Sequence, residues 1–300
     1  MKIDRMGGYR VLDTFPAFED FWRRARKLPV SQRVESWKTE YFRPWPELFR
    51  KQAAEYRRIG ADWRAVARRR ILPVIEERRP LMRRARARIR AAIPVALDQC
   101  RTKLGLDFPV SFVIYVGFGC GAGWATTFAG RPAVLFGLEN AAEVQWTDTR
   151  SAVAMIDHEL AHLLHAQWRR DAHVGEVQGH AGPWWQLYEE GFATRCEQLA
   201  SGALGARPAP GPETWLRWCE RNRTRLAARF LRAVQARNSV RRFFGSWYSV
   251  DGHIETGYYL GSEVIREWEA RYSLREIARW KPDEVRRRAR ATIERMASAV

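Results

Sequence analysis

Three hundred residues with 46% apolar side chains are enough to bury a core, and a formal charge of +18 holds the chain far from neutrality. The four cysteines, Cys100, Cys120, Cys196 and Cys219, contain no CxxC pair, which excludes a dense disulfide framework and points to unlinked thiols in a reducing compartment. No apolar run reaches membrane-spanning length and the first residues lack the order of a signal peptide, so a cytoplasmic protein is expected.

In chain order, residues 1–105 read as a helical N-terminal region. Residues 16–22 open an amphipathic stretch, and Trp37, Tyr41, Phe42, Trp45, Leu48 and Phe49 continue an aromatic-rich pattern. Pro44, Pro46, Pro73 and Pro80 cut it into segments. Residues 81–104 form an Arg/Ala helix that Pro94 is expected to kink or split. Residues 109–116 are β-branched and aromatic, as a strand should be. The glycine-rich turn at 117–123 is no phosphate loop, because neither GxxxxGK nor GxGxxG in a βαβ setting is present. Residues 124–128 and 132–137 then read as the arms of a hairpin joined by Ala129, Gly130 and Arg131.

His158-Glu159-Leu160-Ala161-His162 follows, an HExxH motif inside a predicted helix over 149–168. At 3.6 residues per turn, positions four apart stand one above the other, so both imidazoles can approach one metal ion while Glu159 holds a water beside it. A zinc ion lowers the pKa of such a water to about 7, where a carboxylate can take its proton. An amphipathic helix whose polar stripe happens to carry His and Glu would show the same letters, so a third ligand decides between the readings.

Gly182 and Pro183 mark the start of a second helix, 183–201, which carries Glu189-Glu190-Gly191-Phe192-Ala193-Thr194 and Glu197. HELAH followed by Glu-Gly-Phe-Ala-Thr-x-x-Glu resembles the gluzincin metallopeptidases, most closely their zinc aminopeptidase branch. Families of predicted zinc-dependent proteases that share HExxH, an EGxA helix and a later Tyr-Tyr-x-Gly segment are also similar. The resemblance covers about twenty residues. It implies zinc on His158, His162 and Glu190, with Glu159 as the general base. Two departures stand out: Glu189 replaces an Asn, and the stretch between His162 and Glu190 is longer, with Asp171, His173, Glu176 and His180 in it. His165, His173, His180 and Glu189 therefore remain rival ligands. Thr194, one turn after Glu190, can hydrogen-bond a ligand from behind or simply bond back to its own helix.

The resemblance also implies a zincin-like fold in which substrate backbone adds to an edge strand beside the metal, here the strand around 134–137. Gly137-Leu138-Glu139-Asn140 is similar to a shortened aminopeptidase segment that gathers the substrate's amino group, which would give Glu139 that role; a loop carboxylate is the alternative. Relatives stabilise the oxyanion with a tyrosine well after the glutamate ligand. Tyr259 and Tyr258 stand at a comparable distance, with His253 as a further option; packing under the next helix is the other reading of the tyrosines.

Residues 207–212 read as a linker to C-terminal helices over 213–300. The expected fold is α+β and mostly helical, with a small mixed sheet in a catalytic domain over 106–300. The expected function is that of a zinc metallopeptidase acting on a peptide or protein substrate, with amino- and endopeptidase activity both open. The arginine runs at 83–90 and 286–290 carry the alternative, a basic helical nucleic-acid-binding protein with an incidental or structural metal site; charge interleaved with Ala is also what solvated helix faces look like.

Overall fold

The computed structural model describes residues 3–6, 8–58, 60–144, 148–175, 182–202, 212–245 and 248–299. The fold is α+β and mostly helical. Its strands are β1 (Ile3–Met6), β2 (Tyr9–Asp13), β3 (Val110–Tyr115), β4 (Trp124–Phe128) and β5 (Arg131–Gly137). Its helices are α1 (Phe15–Ala25), α2 (Val30–Ser36), α3 (Pro46–Arg58), α4 (Trp63–Val66), α5 (Ile75–Leu104), α6 (Leu138–Glu143) and α7 (Thr149–Asp171). They continue with α8 (Pro183–Ser201), α9 (Pro212–Arg221), α10 (Arg223–Gln235), α11 (Thr256–Glu269), α12 (Leu274–Ala278) and α13 (Pro282–Ser298). Two compact units divide the chain. The first comprises Met1–Pro94 and Asp107–Ala152, the second Val95–Leu106 and Val153–Val300. This differs from the expected division at 105, and the sheet is the reason.

In the first unit the strand order is β1-β2-β3-β5-β4. β2 runs parallel to β3, Tyr9 opposite Val110 and Asp13 opposite Ile114, so all of α1 to α5 forms the crossover between two neighbouring strands. The N-terminal region is mostly helical and also supplies two strands of the sheet, which the helical reading of 1–105 does not include. The run Tyr9–Asp13 is short and half polar, and its long-range partner makes it a strand. Thr14 secures the junction: its hydroxyl donates to the Ile114 carbonyl (3.0 Å) and lies 2.6 Å from the Tyr41 hydroxyl. Phe18, Trp22, Trp37, Phe42 and Phe118 fill the core beside it.

The hairpin forms, with Arg131 in β5 and paired with Phe128 rather than in the expected three-residue connection. Ala129 and Gly130 both take positive φ (50° and 72°), the two-residue turn that matches strand twist. That turn lays β4 outside β5, with Trp124 opposite Leu135. β5 is thus an interior strand between β3 and β4, which corrects the expectation that residues 134–137 offer a free edge; β4 is the edge strand on that side of the sheet. Pro94 does not split α5, which runs unbroken over 30 residues.

The second unit is helical. α8 and α11 meet at Gly191 and Gly261: a Cβ on Gly191 would lie 2.2 Å from the Gly261 carbonyl carbon, and one on Gly261 would lie 2.3 Å from the Leu187 carbonyl oxygen. Only two hydrogens at this crossing let the backbones touch, so the glycines of the EGFA and Tyr-Tyr-Leu-Gly segments have a packing cause. Leu187, Tyr188, Phe192, Trp215, Phe230 and Leu260 form the core around the crossing. From α7, Arg169 Nη1 donates to the Ala278 and Trp280 carbonyls (both 2.8 Å), fixing the end of α12. Residues 207–211 of the expected linker lie outside the described residues.

Candidate metal centre

α7 carries His158 and His162 one turn apart and α8 carries Glu190, all within the second unit. His158 Nε2 lies 3.2 Å from His162 Nε2 and 3.3 Å from Glu190 Oε2, and His162 Nε2 lies 3.6 Å from the same oxygen. Ligands placed tetrahedrally at about 2.0–2.1 Å from a metal stand about 3.3–3.4 Å apart, so these atoms already form one face of such a tetrahedron. Two imidazole nitrogens and a carboxylate converging this closely suit a shared cation better than one another. Among the described residues this is the group of His, Cys, Asp and Glu side chains able to hold a metal ion. The side chains of His162 and Glu190 keep 18% and 24% of their surface open, enough for a small ligand to reach them.

Behind the cluster, His158 Nδ1 lies 3.2 Å from Glu197 Oε2. A carboxylate there accepts a hydrogen bond from Nδ1–H, which fixes the ring and leaves Nε2 as the nitrogen turned to the cluster, as a metal ligand requires. Glu197 is 2% exposed and one of the residues that sequence reasoning missed as functional. Its signal was present: seven residues after Glu190 is two helical turns, which returns to the same face. Burial acts to lower the His158 pKa, but Glu190 and Glu197 outweigh it and hold the imidazole up to about 10. His162 is likewise raised by Glu190 against its burial. Burial would raise Glu190, yet the two histidines hold it well below the usual carboxylate range. The donor set is thus strongly polarised, anionic oxygen against imidazole, and a divalent ion would take the place of the shared protons.

Glu159 is next along α7, 8% exposed and close enough to His162 to raise its basicity. Tyr258, at the start of α11, has its ring 5.7 Å from that of His158. Tyr259 packs edge-on against Trp215 at 6.4 Å and is 2% exposed, so the structure puts Tyr258 and not Tyr259 against the cluster. The ring next to the ligands follows from helix phase, since neighbours on α11 point about 100° apart. His253 is engaged elsewhere: its ring stacks on Trp218 at 3.7 Å and its Nδ1 pairs with the Asp251 carbonyl (3.0 Å). Thr194 is fully buried, and its hydroxyl has no partner among the described residues, so neither a bond to the cluster nor one to its own helix is seen; the group behind His158 is Glu197.

The rival ligands separate clearly. Tyr188 gives its hydroxyl proton to the Ile277 carbonyl (3.0 Å), so His165 Nε2 donates to the Tyr188 oxygen (2.7 Å) inside an aromatic pocket, and burial pushes His165 well below its ordinary pKa. His173 is exposed, beyond the end of α7. Glu189 stays outside the converging set, its carboxyl raised by burial. His180 and Glu176 lie outside the described residues.

Glu139 lies in the first unit, 1% exposed. Its two oxygens accept the Gly117 (2.7 Å) and Gly119 (3.0 Å) amides, and Asn140 Oδ1 accepts that of Gly121 (3.2 Å). The carboxylate to which the resemblance would give a substrate amine instead clamps the glycine-rich turn. Burial nevertheless lifts it to about 7 against the pull of those amides. No protein-family model, curated protein or solved structure matches this chain, so the reading of its chemistry stands on this geometry.

Proposed function

We propose that the chain is a zinc-dependent peptidase with a zincin-like catalytic domain of gluzincin type. The observation that carries this reading is the convergence of His158 Nε2, His162 Nε2 and Glu190 Oε2 at tetrahedral separations, with Glu159 beside them on α7. Zinc, when bound there, would acidify a coordinated water to a pKa of about 7 and polarise the scissile carbonyl. Glu159 takes the proton of the attacking water and passes it to the leaving amine. The Tyr258 hydroxyl donates to the carbonyl oxygen as charge develops on it. Glu197 holds His158 in the tautomer and orientation that keep Nε2 available.

The test is metal content together with peptide turnover. Wild type should hold about one zinc per chain and lose it in Glu190→Ala. Glu159→Gln should keep the metal while turnover falls about 10²–10⁴-fold. A Glu190→Ala protein that retains its zinc, or a fully active Glu159→Gln, would overturn the assignment. The nucleic-acid alternative has weaker support, because the arginines that suggest it are in good part matched: Arg86 and Arg90 face Asp13 (2.7 and 3.2 Å), and Arg288 and Arg290 face Glu284 and Glu294 (3.0 and 2.7 Å).

A further inference from the structure

Cations in the second unit are unevenly matched. On α13, Arg286, Arg288 and Arg290 pair with Asp283, Glu284 and Glu294 of the same helix. The segment from Arg217 to Arg242 differs: nine arginines stand there with one acid, Glu220. Arg225 and Arg229 share the Asp251 carboxylate (2.8 and 2.6 Å). Among the described residues, Arg232, Arg237, Arg241 and Arg242 are exposed and make no ion pair. Arg225, Arg229 and Arg232 are spaced by four and three residues, which makes a stripe along α10 away from its buried Leu226, Ala227 and Phe230.

A chain of rings joins this basic segment to the metal centre. Phe244 follows directly on Arg241, Arg242 and Phe243, and its ring lies 5.7 Å from that of Tyr258. Tyr258 in turn lies 5.7 Å from His158. Gly257 is pressed against the same two phenylalanines: a Cβ there would come within 2.6 Å of the Phe244 ring and 2.8 Å of the Phe243 carbonyl. The arginines of this turn are therefore held to the element that supplies the centre's tyrosine.

We propose that this surface receives an acidic stretch of the polypeptide substrate, its carboxylates lying on Arg232, Arg237, Arg241 and Arg242; the inference rests on the peptidase reading above. A guanidinium binds a carboxylate through charge-assisted hydrogen bonds, and Asp251, with one oxygen on Arg225 and the other on Arg229, shows a carboxylate held on the same stripe. Cations left without acids of their own raise the local concentration of an anionic chain and speed its encounter with the centre.

The experiment uses the full chain and three fluorescent peptides of equal length and identical central sequence, flanked by acidic, neutral or basic residues. Binding is read by anisotropy at low and high salt, and cleavage is followed in the same mixtures. The acidic peptide should bind about tenfold more tightly than the neutral one at low salt, and the advantage should fade at high salt. Arg241→Glu/Arg242→Glu should remove it, whereas Arg271→Glu/Arg287→Glu, a reversal of two exposed arginines elsewhere, should not. Equal binding of the three peptides, or an equal loss in both variants, overturns the proposal. So does duplex DNA that binds more tightly than the acidic peptide and loses its binding in the same Arg241/Arg242 variant, which would assign the surface to nucleic acid. Acidic binding without cleavage of any peptide supports the surface and removes the peptidase reading. Cleavage of all three peptides with equal binding keeps the peptidase and sinks the acidic preference.

Discussion

Glu197 touches a proposed ligand without being one, so replacing it separates support of the metal from capture of it. Its carboxylate lies 3.2 Å from His158 Nδ1 and is 2% exposed, so water cannot replace the bond. A hydrogen bond to a charged partner contributes about 1.5–3 kcal/mol and a neutral one about 0.5–1.5. Glu197→Gln keeps a neutral acceptor and loses the difference, about 1–1.5 kcal/mol, or roughly tenfold in metal affinity. Glu197→Ala leaves the Nδ1 proton without a partner and should weaken binding by about 30–100-fold. Competition of the metal-stripped protein with a chromogenic zinc chelator reads both values, and circular dichroism verifies that each variant is folded. Thr194→Ala is the control: the Thr194 hydroxyl has no partner among the described residues, so affinity should stay within about twofold of wild type. A Glu197→Ala protein that also stays within that margin, or a Thr194→Ala protein that loses as much affinity as Glu197→Ala, would show that Glu197 does not support the centre.

Gly191→Ala puts a methyl group where the Gly261 backbone stands, 2.2 Å away, and should lower unfolding stability by about 1–3 kcal/mol while weakening metal binding, because α8 carries Glu190. An unchanged thermal midpoint would count against the crossing as described. Arg169→Ala removes the donor shared by the Ala278 and Trp280 carbonyls and should cost about 1–3 kcal/mol in a denaturant titration; no loss would show that these carbonyls find other partners. Glu139 gives a pH signature. Its folded pKa of about 7 lies above its ordinary 4.5, so the folded chain holds that proton more tightly than the unfolded one. The resulting stability is complete below pH 4.5 and is lost as pH rises through about 7, in all about 3 kcal/mol. Glu139→Gln should flatten that slope between pH 4.5 and 7, and a slope unchanged in the variant would refute the assignment.

The letters between His158 and His162 were enough to place two imidazoles on one face, because a helix sets that relation within a single turn. Pro183 marks the start of α8, and Ala129, Gly130 and Arg131 mark the hairpin to within one residue of its turn, for the same local reason. Glu190 could be named from the sequence, but its selection over Glu189, His165 and His173 came from the packing of α8 on α7. Glu197 sat on the right face with nothing in the sequence to say that His158 would meet it. The choice of Tyr258 over Tyr259 requires the phase of α11 in the packed unit, where α11 crosses α8 at Gly191 and Gly261. Misreadings arose where long-range pairing overrides local pattern: Tyr9–Asp13 becomes a strand through β3, and β5 loses its edge to β4. For Glu139 the sequence leaves a substrate-binding group and a loop carboxylate both open, and the fold brings the Gly117 and Gly119 amides onto it. What each turn of helix presents is legible in the chain, since those contacts span a few residues. Tertiary structure decided which faces meet, because that depends on close packing between segments far apart in the chain.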